Sequence, residues 1–95
     1  MISKEEALKI RDGRRRFLVN EYVDKLEEVV DVIIRNRFGL VANQREIDMV
    51  PDAGLNFPDE DMIAEFQSRY PEWKIIFEPF PGNNGKDMKI TMILK

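Results

Sequence analysis

Residues 14–39, RRRFLVNEYVDKLEEVVDVIIRNRFG, decide the fold. Leu18, Tyr22, Leu26, Val29 and Ile33 recur at spacings of four, four, three and four, which is the period of one helix face. Val19, Val23, Val30 and Ile34 widen that stripe, so the helix has to be covered over much of its circumference. Gly39 suits the position just past the last turn, and Arg35 and Arg37 suit the negative end of the helix dipole.

Upstream, Ser3-Lys4-Glu5-Glu6 is a capping box: the Ser3 hydroxyl accepts from the Glu6 amide, and the Glu6 carboxylate reaches back to the Ser3 amide. A helix therefore starts at residue 3 or 4. One rod from there to Phe38 would span roughly 52 Å. A globule of 95 residues has a radius of gyration of only about 12–13 Å. The geometry predicts a break or kink near Asp12-Gly13, with residues 1–12 forming a separate helix or an arm that packs on another chain.

Downstream, Leu40 to Val50 alternates weakly, with Val41, Ile47 and Met49 inward and Arg45 and Asp48 outward, and reads as a strand. Pro51-Asp52-Ala53-Gly54 is turn chemistry. Pro58 and the acids Asp59, Glu60 and Asp61 open a second helix, which buries Met62, Ile63, Phe66 and Tyr70 and stops before Pro71. Trp73, Ile75 and Phe77 alternate on one strand, and Met88, Ile90, Met92 and Leu94 on another. With Pro81-Gly82-Asn83-Asn84-Gly85 as the loop, they predict a C-terminal β-hairpin. The expected fold is α+β in the order α-β-α-β-β: one domain, residues 1–95, with two helices on a small three-stranded sheet.

Composition narrows the function. The 95 residues include no His and no Cys, which removes the usual general base, the best nucleophile and the commonest transition-metal ligands. Ser3 is committed to a cap, and Ser68 has no histidine to activate it. A carboxylate pair working on glycosides needs a cleft with about 5–10 Å between the two groups, for which a three-stranded sheet leaves little room. Asp59, Glu60, Asp61 and Glu65 lack the alternating ligand ladder of a calcium loop. The reading is a protein with no catalytic residues, no metal and no cofactor. No stretch has the makings of a signal peptide or a membrane span, so a soluble, cytoplasmic protein is expected.

The net charge of −3 hides segregation. Residues 1–20 carry net +3, residues 21–34 net −4, residues 35–45 net +3, residues 46–66 net −7 with no base, and residues 67–95 net +2. On the long helix Asp24, Glu27, Glu28 and Asp31 form one acidic row; carboxylates three and four residues apart lie roughly 5–6 Å apart. The phosphates of a DNA strand have a broadly similar spacing, so such a row can face a basic protein. Asp59, Glu60, Asp61 and Glu65 offer a second row. The opposite reading assigns nucleic-acid contact to Arg11, Arg14, Arg15 and Arg16. The wide apolar stripe, together with Ile76, Phe80 and Ile93 on the second sheet face, asks for a cover, which a homodimer would supply.

In layout the chain resembles small α+β early proteins of tailed bacteriophages. The resemblance rests on the capped opening Ser3-Lys4-Glu5-Glu6-Ala7-Leu8 and on the strand entry Tyr70-Pro71-Glu72-Trp73-Lys74 before a closing hairpin. It implies a non-enzymatic host-takeover protein that binds and disables a host factor, in some cases by imitating DNA toward nucleoid or transcription proteins. It assigns no individual residue a role.

Overall fold

The helix capped by Ser3 does not stop at Gly13. In the computed structural model, which describes residues 1–80 and 87–95, α1 runs without interruption over Lys4–Arg37. Ser3 is its N-cap, and its hydroxyl accepts from the Glu6 amide at 3.2 Å. The break expected near Asp12-Gly13 is therefore corrected. A lone glycine costs a helix interior only about 1 kcal/mol, too little to end one that is capped on one side and packed on the other. The size constraint is met by overhang instead. The molecule measures 62 × 32 × 18 Å with a radius of gyration of 16.1 Å, and residues 1–18 are all exposed except Arg15, which is half-buried.

α1 closes at Phe38, whose amide donates to the Ile34 carbonyl. Gly39 follows at φ +92°, a left-handed conformation that an L side chain rarely adopts, and its amide donates to Gln44 Oε1 at 2.8 Å. That side-chain bond and the positive φ of Asn43 hold residues 39–44 in a tight turn. Strand β1 is accordingly only Glu46–Met49, shorter than the expected Leu40–Val50, and Val41 is exposed in the turn rather than inward.

Helix α2 spans Glu60–Arg69, with Asp59 as N-cap accepting from the Met62 amide at 3.0 Å. Gln67 Nε2 donates to the carbonyls of Tyr70 and Trp73, at 3.2 and 2.7 Å, and so pins the turn into the next strand. Strands β2 (Trp73–Phe80) and β3 (Asp87–Leu94) pair antiparallel with Trp73 opposite Leu94. The loop expected at Pro81–Gly85 lies outside the described residues. β1 adds to the other edge of β3, giving the order β1-β3-β2 with both pairings antiparallel.

Period-two alternation places Ile47, Met49, Met88, Ile90 and Met92 on one sheet face, where they join Val19, Tyr22, Val23, Leu26 and Val30 of α1 and Phe66 of α2 in a single core. Phe66 meets Phe77 edge-on at 5.5 Å between centroids, and Phe38 meets Trp73 in the same way at 5.2 Å. The fold is thus α+β, with two helices over one face of a three-stranded sheet. On the opposite face Ile93 lies between Glu46 and Lys74, and Thr91 lies between Asp48 and Ile76. Thr91 is buried there and donates its hydroxyl to Asp48 Oδ1 at 2.9 Å.

Candidate partner-binding surface

The two acidic segments, separated by 27 residues of chain, become one surface because α2 lies along α1 and runs the same way. Arg15 of α1 meets Asp59 and Asp61 at the start of α2, and Arg69 at its end meets Asp24 and Glu27. Just beyond, the Tyr70 hydroxyl donates to Asp31 Oδ1 at 2.5 Å. Six of the eight carboxylates expected from the sequence, Asp24, Glu27, Asp31, Asp59, Asp61 and Glu65, are therefore tied into the same two-helix layer, while Glu28 lies on the exposed outer side of α1 and Glu60 in the first turn of α2.

Most of them also hold the layer together. Arg69 Nη1 donates to Asp24 Oδ1 at 2.6 Å and to Glu27 Oε2 at 2.8 Å, and its Nε donates to Glu65 Oε1 at 3.2 Å. Those bonds, Asp24 first and then Glu27, raise the affinity of the guanidinium for its proton above the ordinary arginine value. Arg15 is paired to Asp59 and reaches Asp61 at 3.3 Å. The Asp59 carboxyl is held below the usual carboxylate range, first by the hydrogen bond from Arg15 and then by the Met62 amide. Glu28 and Glu60 are exposed and have no ion pair among the described residues.

Two phenols complete the layer. Tyr22 donates its hydroxyl to the Asn56 carbonyl, which ties the segment before α2 to α1. Burial, reinforced by the nearby Asp59 charge, raises its pKa, and burial followed by the bond to Asp31 does the same for Tyr70. Both are therefore neutral donors across the physiological range.

The arginine cluster is divided. Successive residues on a helix point about 100° apart, so Arg15 turns to α2 while Arg14 and Arg16 stay exposed. Among the described residues Arg11 pairs only with its neighbour Asp12, at 3.1 Å, with both side chains well exposed. Below the overhang, α1 and α2 part to leave an open groove, lined by Arg16, Val19 and Asn20 on one side and Asp61, Ala64 and Ser68 on the other. Ser68 Oγ donates to the Glu65 carbonyl at 2.6 Å, a bond within its own helix.

Reading the sequence missed Arg69 and Tyr70 as members of this surface. The Glu65–Arg69 spacing of four was the available signal for the first. Nothing local marks Tyr70, whose partner Asp31 is 39 residues away. Comparison with protein-family models, curated proteins and solved structures finds no match to this chain.

Proposed function

We propose that this protein is a non-enzymatic binding module whose acidic α1–α2 layer takes a basic protein partner of the DNA-binding class. The single observation behind this reading is the merging of Asp24, Glu27, Asp31, Asp59, Asp61 and Glu65 onto one layer flanked by the exposed Glu28 and Glu60, with Arg15 and Arg69 the only bases paired into them among the described residues. Those two guanidinium groups also fix the spacing of the carboxylates around them. An acidic array that is already ordered loses little side-chain freedom when a cationic surface docks on it. The host-takeover role implied by the chain's organisation belongs to the same proposal, with a nucleoid or transcription protein as the type of partner.

A second reading, nucleic-acid contact, is favoured by Phe17 lying exposed beside Arg14 and Arg16 on the overhang. One experiment separates the two. The immobilised chain is used to capture basic proteins from host lysate, with and without nuclease, alongside a variant carrying Glu28→Lys and Glu60→Lys. Neither substitution removes an internal ion pair, so the variant should fold as the parent does. The acidic-layer reading expects nuclease-resistant capture that the variant loses and that added duplex DNA competes away. Capture that the variant retains, or that nuclease abolishes, would sink it.

A further inference from the structure

A stripe of α1 outside the core carries Ala7, Arg11, Arg14, Leu18, Glu21, Lys25, Glu28 and Val32, spaced alternately by three and four residues, and every one is exposed, with Leu18, Glu21 and Lys25 bordering Leu55 and Met62 at one edge. Ile10, Phe17 and Asp24 flank this stripe. Phe17 and Leu18, 65% and 52% exposed, lie at its centre. Apart from Lys25, which pairs with Glu21, the charged residues are sorted by sign around that centre, with Arg11 and Arg14 before it and Glu21, Asp24 and Glu28 after it.

Such an order is self-complementary under one operation, a twofold axis passing between Phe17 and Leu18 and perpendicular to the helix. We propose that a second copy of this chain docks here, α1 against α1 in antiparallel fashion. In that register Phe17 comes level with Leu18 of the second copy, Arg14 with its Glu21 and Arg11 with its Asp24, and each pair occurs twice. Val32 comes level with the Met1–Ser3 end of the other helix. A parallel arrangement would put Arg14 against Arg14 and Glu21 against Glu21, and like charges held opposite one another discriminate strongly against it. The core lies under the other side of each α1, with Leu55 and Met62 at the edge of the stripe. The interface is isologous, as a closed homodimer requires.

The charges already on the stripe leave room for this exchange. Glu21 holds Lys25 at 3.3 Å in an exposed pair, Arg11 holds the exposed Asp12, and Arg14 has no ion pair among the described residues. Asp24 keeps its bond to Arg69 and would share its carboxylate with the Arg11 of the second copy. Overlap of the helices also removes Phe17 and Leu18 from water, the largest apolar gain this face offers. The inference does not rest on the acidic-layer reading: Asp24 and Glu28 belong to both, but Arg14 and Glu21, where the dimer is tested, are not among the eight carboxylates of that layer.

The test is a reciprocal charge swap in the full chain, read by light-scattering mass and sedimentation equilibrium. The parent should have twice the 11.2 kDa chain mass. Arg14→Glu alone and Glu21→Arg alone should each dissociate at concentrations at least about tenfold higher. Mixing the two variants should restore tight dimers, as should combining both substitutions in one chain. Circular dichroism of each variant reports that it is folded. A monomeric parent overturns the proposal, whether or not the face then holds some other protein. So does a mixture that associates no better than its components, or a mass above the dimer.

Discussion

The two halves of α1 are one helix by backbone and two different objects by environment. From Val19 to Ile34 the helix contributes Val23, Leu26 and Val30 to the core, all fully buried. From Lys4 to Leu18 it contributes nothing to the core. The same helical line continues backward from Leu26 and Val19 through Arg15 and Asp12 to Leu8, and along it the apolar residues give way to charge. Arg15 is the last position on that line with a partner in the body, and its partners are carboxylates. Helicity and burial are therefore separable. The overhang stays helical because Ser3 caps it and because the packed half has already met the cost of nucleation.

The largest expected effect tests that division directly. Leu26→Ala should cost about 2–5 kcal/mol in urea unfolding, since it opens a cavity in the core. Leu8→Ala, on the same helical line, should stay within about 0.5 kcal/mol of the parent. Equal costs would mean that the overhang packs as the other half does.

An intermediate effect is expected at the staple between helices. Arg69→Ala leaves Asp24, Glu27 and Glu65 facing one another and should cost about 1–3 kcal/mol. Arg69→Lys should recover only part, because an ammonium does not reproduce the two-sided reach of Nε and Nη1. Full recovery by lysine would show that charge alone, without the fork geometry, joins α2 to α1.

The smallest effect runs the other way. A Cβ at Gly13 would meet nothing within 4 Å, and its φ is not positive. Gly13→Ala should therefore stabilise the overhanging helix by about 0.5–1 kcal/mol, visible as slower amide exchange over residues 4–18. Faster exchange there would show that the helix needs the give of a glycine at that point.

The element order was legible in the sequence because each signal was local. The Ser3 cap, the three-four spacing after Leu18, the acids before Met62 and the alternation in the last strands each act within a few residues. Two local readings failed for non-local reasons. The expected break at Gly13 assumed that a small domain must contain its helix, whereas the structure lets the helix overhang. The expected inward Val41 assumed that weak alternation was pairing, whereas Gln44 closes a turn there and keeps the segment off the sheet. On the candidate surface, all eight acids were visible in advance, but not that Arg69 and Arg15 tie most of them together.

By itself, then, the sequence determined the order of helices and strands, most of their apolar faces and how charge is sorted along the chain, since all of these follow from spacing and side-chain chemistry. Only the tertiary structure decided that β3 sits between β1 and β2, that the two acidic segments share one layer, and that half of α1 stands outside the body. Those outcomes depend on contacts between residues about 40 or more positions apart, such as Arg15 with Asp59, Arg69 with Asp24 and Glu46 with Ile93. No local pattern encodes which distant partner a side chain will meet; packing one core under two helices selects it.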